Sequence, residues 1–410
     1  MFKRNSVLFF ILGLLVVAFA TNAMAQPGRV GSGSQKGSLL VFPKVLVETA
    51  DNGTVWFDTI ITIANDNSRN VNVECYWVDA EQNTADFMFA LTGNQPTWFK
   101  ASDGLGSRGW GVSPFGPNNK GELKCWAMGV DDATMEEYQA LFNHLYGTAI
   151  MIDYRNHTSF EYNAYAFKGH YPDSSGVYTT HLGTTGTLVL DNNYPSPTYD
   201  TGSGYILFNF FAAAPQGSGF QIVNKTDLTL VPLRQDLRQD RLPTCTKAKF
   251  DVWNENEVKL TGAYQCIKCW FEGSLEKIGT YKDPVSGKPT GYLGRNFSYK
   301  SLHTSLGRTR VTSVASTQCR NVFIDPWDPD LKRDLCVDNI YNPGMNLQSR
   351  TPLLGLVFTS IQVDGSTILF GTTPQGAGVF VPSPFDPNKP DETVTIKYDP
   401  PGRTLAPKPR

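Results

Sequence analysis

The residues of this 410-residue sequence that are most able to do chemistry are two pairs of cysteines, Cys266 with Cys269 and Cys319 with Cys336. Cys266 and Cys269 form a C-x-x-C pair, which can act as a redox dithiol at a helix N-terminus or bind zinc together with Cys319 and Cys336. The βαβ pattern of a redox site is missing around this pair, and no second C-x-x-C follows. Trp270 stands where a haem-attachment motif requires His. Redox and zinc roles are therefore the weakest alternatives, and haem attachment is excluded.

Other catalytic spacings are missing from the sequence. The five histidines form no H-E-x-x-H motif, and neither a G-x-S-x-G elbow nor a Walker loop occurs. Asp325, Asp328 and Asp330 concentrate carboxylates in one stretch that can hold Ca²⁺. Their spacing differs from that of an EF-hand, and the intervening prolines favour a rigid turn. We expect no cofactor, with calcium at these aspartates as the minor alternative.

Tryptophan-rich segments are the best candidates for binding. Trp98 and Phe99 lie before a Gly-rich stretch, and Trp110 follows it. Exposed aromatic side chains on the loops of a β-sandwich can bind a glycan or another envelope protein by stacking and apolar contact. The alternative is that these side chains cap the hydrophobic core.

The first 25 residues have the features of a secretory signal peptide. A basic start, Met1–Asn5, precedes the uncharged apolar stretch Ser6–Ala20, and Ala23 and Ala25 form an A-x-A cleavage site. The apolar stretch is shorter than the roughly 20 residues of a membrane span. Gln26 follows the site, so a lipoprotein anchor, which needs Cys there, is excluded. We predict cleavage after Ala25 and a mature chain that is secreted, periplasmic or at the cell surface, with no membrane span.

Export places the cysteines in an oxidising compartment, where disulfides are the default. Cys75 and Cys125 both lie on the apolar side of alternating segments. We predict that they bridge the two facing sheets of a sandwich, as in immunoglobulin-like domains. One of the seven cysteines remains unpaired. The other pairings are Cys319 with Cys336, and Cys245 with either Cys266 or Cys269.

Alternation of apolar and polar residues predicts the strands that must position these side chains. Residues 55–63 and 71–77 both alternate with a period of two. The polar segment Asn65–Asn70 between them predicts a hairpin or a corner where the chain changes sheet. An Asn-x-Asn turn recurs at Asn254 after a similar strand, which indicates a duplicated domain or a common sandwich corner.

One segment has the period of a helix. Thr134 and Glu137 have capping-box spacing, and apolar residues recur at helical spacing from Met135 to Leu145 before Gly147. We predict one short helix that covers the end of a sheet.

The fold class predicted is mainly β, with two immunoglobulin-like β-sandwich domains. A charged, proline-bounded segment, 232–243, predicts the linker between a domain at 37–231 and a domain at 244–373. Residues 26–36 predict a flexible lead, and the proline-rich residues 374–410 predict a tail without its own core.

Composition excludes two classes of protein. Side chains are 40% hydrophobic, 12% aromatic and 18% charged, which is too apolar for a disordered chain. Lys and Arg number 36 against 38 Asp and Glu, so the net charge is −2 and the basic excess of a nucleic-acid binder is missing.

Five segments resemble a group of uncharacterised exported bacterial proteins that are rich in β-structure and have no assigned activity. The resemblance implies bacterial origin, export and a β-rich fold, and it assigns no functional residue. The segments are 37–44, 61–67, 73–83, 121–127 and 249–262.

These observations favour an exported, non-catalytic β-sandwich protein of the bacterial envelope or surface, structural or partner-binding. The alternative is a secreted glycan-active hydrolase or a carbohydrate-binding protein. A hydrolase would need two carboxylates about 5 to 10 Å apart beside Trp98 or Trp110.

Overall fold

The structure is a computed structural model, and the predicted signal peptide lies outside the residues that it describes. None of the helices in the described part of the chain has the length and hydropathy needed to cross a membrane. The described residues are 30–79, 83–104, 120–170, 181–190, 198–212, 223–237, 245–268, 270–275, 278, 281–282, 289–290, 297–314, 317–319, 323–324, 332–333, 336–338, 351–363 and 366–379.

The protein is mainly β, as predicted, and its antiparallel sheets are stacked in layers. Two sheets enclose the first hydrophobic core. Sheet 1 consists of β1 (Leu39–Leu46), β4 (Val71–Asp79), β5 (Thr84–Leu91), β7 (Lys120–Val130), β8 (Glu137–Ala140), β11 (Tyr165–Phe167) and β12 (His181–Thr184). Sheet 2 consists of β2 (Glu48–Thr49), β3 (Val55–Asn65), β6 (Pro96–Lys100), β9 (Leu145–Asp153) and β10 (Thr158–Asn163).

Two further sheets enclose another core. Sheet 3 has the order β18 (Lys259–Lys268), β17 (Cys245–Asn254), β22 (Leu306–Val314), β14 (Ser203–Phe211) and β29 (Gln375–Val379). Sheet 4 has the order β19 (Phe271–Ser274), β15 (Val223–Pro232), β27 (Leu353–Val363) and β28 (Ser366–Thr372).

The remaining elements are short. The helix α1 (Tyr299–Leu302) buries Leu302 in the core between sheets 3 and 4. The paired strands are β13 (Thr187–Val189) with β16 (Arg234–Asp236), β20 (Tyr281–Lys282) with β21 (Pro289–Thr290), β23 (Thr317–Cys319) with β26 (Cys336–Asp338), and β24 (Phe323–Ile324) with β25 (Lys332–Arg333).

Sheet 1 is buried on both faces, which explains the continuous apolar run of β1. Leu40 and Phe42 pack into the core against sheet 2. Leu39 and Val41 point the other way, into a second cluster that includes Leu354 of β27. A strand that is covered on both sides needs apolar residues at every position. The first sandwich therefore packs its outer layer against the second.

Of the two structures predicted for Asn65–Asn70, a hairpin or a corner, the protein has the corner. The chain changes sheet there, because β3 belongs to sheet 2 and β4 to sheet 1. Asn65 holds the corner: its Oδ1 accepts the Asn67 N–H at 2.8 Å, and its Nδ2 donates to the Arg69 carbonyl at 2.7 Å. Asn254 Oδ1 accepts the Asn256 N–H at 3.0 Å in the same way. That second turn joins β17 and β18 of one sheet, so the two motifs share turn chemistry but not topology.

The helix predicted after Asp131 is wrong. Asp131 Oδ1 accepts the N–H groups of Ala133 and Thr134 at 2.8 and 3.1 Å, which closes a turn rather than a helix. Met135 then has φ +58° and is 74% exposed. The following residues form β8, which pairs with β7 and β12. Pairing with an available strand edge outweighs the local helical period here.

The disulfide between Cys75 and Cys125 is present, but its place differs from the prediction. The two residues lie opposite each other on β4 and β7, with their Cα atoms 4.1 Å apart. The bridge therefore joins neighbouring strands of sheet 1 and not two facing sheets. Both residues are fully buried in the first core.

Strands before and after the predicted linker 232–243 pair with each other in the same sheets. β14 and β15 precede it, yet they pair with β22, β29, β19 and β27, which follow it. Arg234–Asp236, inside the predicted linker, forms β16, and Gln235 is buried. Gln375–Val379, inside the predicted tail, adds β29 to sheet 3.

The described part of the predicted flexible lead, residues 30–36, is packed against the fold. Ser32 exchanges backbone hydrogen bonds with Ala166 at 3.1 and 2.9 Å. Gln35 Nε2 donates to Asp200 Oδ2 at 2.8 Å, and Asp200 Oδ1 also contacts His170 Nε2 at 2.7 Å. The prediction of flexibility is therefore wrong for these residues, because the backbone of Ala166 and the side chain of Asp200 bind them.

A buried ion cluster joins the two sandwiches. Glu272 of β19 contacts Lys44 of β1 and, at 2.5 Å, Lys120 of β7. The side chains of Lys44 and Glu272 are 2% and 8% exposed. Trp270 adds a hydrogen bond from its Nε1 to the Pro43 carbonyl at 2.8 Å. Burial alone would raise the pKa of Glu272, but the two lysines lower it to about 2 from an ordinary 4.5.

Replacing Glu272 is expected to change how stability depends on pH. The folded-state pKa is depressed, so the carboxylate stabilises the fold above about pH 4.5, and this contribution disappears as pH falls towards about 2. The contribution is about 3 kcal/mol. In Glu272→Gln we expect the free energy of unfolding to fall by that amount at pH 7 and the acid-dependent loss to shrink. Urea unfolding at several pH values measures both, with exposed Glu257→Gln as the control. Equal pH profiles for the wild type and Glu272→Gln would contradict this account.

Candidate functional site

The two neighbouring aromatic candidates lie on one strand and point in opposite directions. Trp98 and Phe99 belong to β6, an edge strand of sheet 2, and not to a loop as predicted. Trp98 is 65% exposed, whereas Phe99 is 3% exposed and packs edge-on against Trp77, with ring centroids 6.0 Å apart. Phe99 is therefore a core residue and not a binding residue. Trp110 lies outside the described residues.

Strand register places a second aromatic side chain at the same end of the outer face as Trp98. Trp98 and Thr148 both pair with Thr62, so these three residues share one row on the outer face of sheet 2. Ala64 of the next row pairs with Tyr146. Tyr146 is 47% exposed. One end of the outer face thus presents an indole and a phenol to solvent.

The opposite end of the same face presents another aromatic pair. Trp56 precedes Asp58 by two residues on β3, and its carbonyl accepts the Tyr154 N–H at 2.9 Å. Trp56 is 41% exposed and Tyr154 is 43% exposed. Trp56 and Thr62 are six residues apart, which corresponds to about 20 Å along a strand. We call Trp56, Trp98, Tyr146 and Tyr154 the aromatic face.

The centre of the face is apolar on β3 and β9 and is flanked by Lys100 of β6 and by exposed Glu161 of β10. Ile60 and Ile150 pair across β3 and β9, Ile152 lies opposite Asp58, and all three isoleucines are half-buried. Thr62 and Thr148, the next row, bond to each other through their hydroxyls at 2.8 Å. The surface is therefore a strip with aromatic side chains at both ends and short side chains between them.

Asp58 fixes the end of β6 and thereby the strand that carries Trp98. Its Oδ2 accepts the Ser102 hydroxyl at 2.5 Å, and its Oδ1 accepts the N–H groups of Ser102 and Thr59 at 3.1 and 2.8 Å. Ala101 N donates to the Thr59 carbonyl at 2.8 Å. Burial raises the pKa of Asp58, and the bonds from Ser102 oppose this. Rigid support of this kind holds an exposed side chain in place for binding.

The Trp56 end is also supported. The guanidinium of Arg155 lies 5.0 Å from the centre of the Trp56 ring. Asp153 holds the turn that carries Arg155, since its Oδ1 accepts the N–H groups of Arg155 and Asn156 at 3.0 Å each. The cation packs against the indole and restricts its rotation.

Sequence reasoning missed Trp56, Tyr146 and Tyr154 as binding residues. The sequence carried only a weak signal, because the side of β3 and β9 that holds Trp56 and Tyr146 also holds Ile60, Ile150 and Ile152. Only the register between β3, β6 and β9 shows that they share a face with Trp98.

The structure describes some of the remaining predicted site residues and not others. Cys319 and Cys336 lie directly opposite each other on β23 and β26, so their pairing stays a prediction with a favourable register. Cys245 lies opposite Lys268, and Cys266 lies opposite Lys247. Cys269 and the three aspartates proposed for calcium, Asp325, Asp328 and Asp330, fall outside the described residues.

Comparisons with known proteins give no family. The chain matches no family model, and no curated protein matches it significantly. Among solved structures, "Thermotoga maritima 1070" shows 8% identity and a TM-score of 0.24, covering 32% of this chain and 95% of that one. A glycosyl hydrolase family 2 member from Bacteroides cellulosilyticus shows 8% identity and a TM-score of 0.14, covering 86% and 29%. PBSX exported protein XepA shows 9% identity and a TM-score of 0.14, covering 68% and 87%. Likenesses at this level carry no argument about function.

Proposed function

We propose that this is an exported, non-catalytic β-sandwich protein that binds a neutral polysaccharide of the bacterial envelope or surface through the aromatic face. One observation carries the proposal: Trp56, Trp98, Tyr146 and Tyr154 are each more than 40% exposed on a single sheet face. Exposed apolar surface that is contiguous and rimmed by polar groups marks a binding site in soluble proteins.

The chemistry of the face suits sugars. A pyranose ring presents C–H groups on its face, which pack on an indole or phenol ring, while its hydroxyls need hydrogen-bond partners. Thr62 and Thr148 share the row of Trp98, and Tyr146 lies in the next row, so hydroxyl groups lie at this end of the face. The face carries charges of both signs: Lys100 pairs with Asp103, exposed Glu161 of β10 lies opposite Ile150, and Arg155 lies on Trp56 at the other end. A neutral ligand is therefore favoured over an ionic one.

The layout favours an extended polymer over a compact partner. A protein interface concentrates its strongest aromatic contacts at the centre of the contact area. Here the aromatic side chains lie at the two ends of a strip of about 20 Å, and its centre holds isoleucines and threonines. A polysaccharide chain along the strip contacts both ends at once.

The carboxylates near Trp98 support binding without catalysis. Asp58 is buried, and its oxygens accept bonds from Ser102 and Thr59. Asp103 forms an ion pair with Lys100. A glycosidase instead requires two carboxyl groups facing each other across the scissile bond.

Removing the Trp98 side chain is expected to weaken polysaccharide binding about tenfold, which is about 1.4 kcal/mol. The variant Trp98→Ala should fold normally because the side chain is 65% exposed. Affinity electrophoresis against hydroxyethyl cellulose, xylan, glucomannan and dextran measures the effect.

The matched control is Tyr299→Ala, which removes a 40% exposed aromatic from helix α1, away from sheet 2. It should bind as the wild type does. The proposal fails when the wild type binds none of the four polymers, or when both variants weaken binding equally.

A further inference from the structure

The outer face of sheet 3 carries a cluster of cations around one tryptophan. Trp253 of β17 lies opposite Arg308 of β22 on one side and opposite Lys259 of β18 on the other. Two residues along, Asp251 lies opposite Arg310. We call this set, together with Lys249, the cationic face.

Cations surround the Trp253 ring. The guanidinium carbons of Arg308 and Arg310 lie 4.8 and 5.6 Å from its centroid, and Lys259 Nζ lies 5.5 Å from it. Arg310 also lies 5.8 Å from the Tyr205 ring on β14. Each contact is weak, but together they hold flexible cationic side chains in defined positions.

The charges of this cluster do not cancel. Asp251, whose side chain is 4% exposed, contacts Arg310 Nη2 at 2.7 Å and Lys259 Nζ at 3.0 Å, and it lies 3.9 Å from Lys249 Nζ. Although burial opposes it, Arg310 and Lys259 lower the pKa of Asp251, which stays ionised. Asp251 therefore faces three cations, and the cluster as a whole adds a fourth, Arg308, whereas the whole chain has a net charge of −2.

Acidic residues in the turn between β17 and β18 reduce the excess of positive charge only at that end of the cationic face. Glu255 and Glu257 lie in the turn after Asn254. Glu255 Oε1 is engaged by the Leu306 N–H at 2.8 Å. Arg308, in contrast, is exposed and contacts the Trp253 ring. Arg310 and Lys259 are engaged by Asp251, so Arg308, which is exposed on the Trp253 ring, is the cation of the cluster most accessible to a ligand.

We propose that the cationic face is a second binding site, and that its ligand is an acidic polysaccharide with carboxylate or sulfate groups. Charge complementarity identifies the ligand class. Arg308 and Arg310 are two residues apart on β22, so their backbones are about 7 Å apart on one face. Guanidinium groups bind carboxylates and sulfates through paired N–H donors, and a flat strand face follows an extended polymer. This site is independent of the aromatic face.

The test is binding of the full mature chain to heparin and to polygalacturonate at low salt, with dextran as a neutral control. Arg308→Glu is expected to weaken binding to both acidic polymers at least tenfold. Lys225→Glu, an exposed cation on sheet 4, is the charge-matched control and should retain most of the binding. Affinity in the wild type should fall as salt rises. Trp98→Ala should leave this binding unchanged.

Three results would overturn the proposal. They are no wild-type binding to either acidic polymer at low salt, equal losses in Arg308→Glu and Lys225→Glu, and tighter binding to phosphatidylglycerol vesicles than to both polymers. Lys259→Gln provides a second variant in case Arg308→Glu unfolds, and it should weaken binding several-fold. The Trp98 experiments are unaffected by any of these results.

Discussion

Replacing both Cys75 and Cys125 by alanine is expected to lower the free energy of unfolding by about 4 kcal/mol. The bridge spans 50 residues, and closing a loop of this length restricts the unfolded chain strongly. Both residues are fully buried between sheets 1 and 2. Urea unfolding of the oxidised wild type and of the double variant measures the difference.

Reduction of the wild type under denaturing conditions is the control for the loss of the bridge. The reduced wild type and the double alanine variant should unfold at similar urea concentrations, both well below the oxidised protein. A loss of less than about 1 kcal/mol on reduction, small for a disulfide, would mean that this bridge does not stabilise the native fold.

Replacing Lys124 by methionine is expected to cost about 3 to 5 kcal/mol at pH 7. Lys124 forms an ion pair with Glu122 on β7, and both side chains are fully buried. Gln235 Nε2 donates to Glu122 Oε1 at 3.4 Å. Without the lysine, the Glu122 carboxylate remains buried without its cation. Because burial raises the pKa of Glu122 even in the wild type, the variant should regain stability as pH falls and the carboxyl group becomes protonated.

The double variant Glu122→Leu with Lys124→Met separates charge from packing. It removes both charges and keeps similar volumes, so its stability should lie within about 1 kcal/mol of the wild type or above it. Chemical unfolding at pH 7 and pH 5 tests both variants. A single variant as stable as the wild type at pH 7, or a double variant less stable than the single one, would contradict this account.

Local pattern predicted individual strands well. The alternation around Ile61 and Cys75 places β3 and β4 correctly, and it puts both bridging cysteines on the inner side. Alternation does not say which strands pair. The disulfide was therefore predicted between facing sheets, whereas β4 and β7 are neighbours. Pairing partners depend on contacts between residues far apart in the sequence.

The errors have physical reasons of the same kind. The sequence before Leu145 does have a helical period, but residues 137–140 form β8 because they pair with the edge of β7. The charged segment at 232–243 has the composition of a linker, yet Gln235 is buried within it. Its strand neighbours β14 and β15 pair with the later part of the chain.

The candidate site was predicted only in part. Trp98 was predicted as a binding residue because it lies in a tryptophan-rich segment, and its side chain is exposed. Phe99 was grouped with it, although a strand period of two would have sent these neighbours to opposite faces. Trp56 and Tyr154 needed the register of β3 and β9 before they could be joined to the same surface.

Oxidative footprinting of the aromatic side chains tests the central proposal most directly. Mass spectrometry would compare hydroxyl-radical labelling of the protein alone with labelling in the presence of the tightest binder among the four neutral polymers. We predict protection of Trp98, Trp56, Tyr146 and Tyr154, with Trp253 and Tyr299 labelled equally in both samples. Unchanged labelling of Trp98 with protection elsewhere would contradict the assignment of the aromatic face.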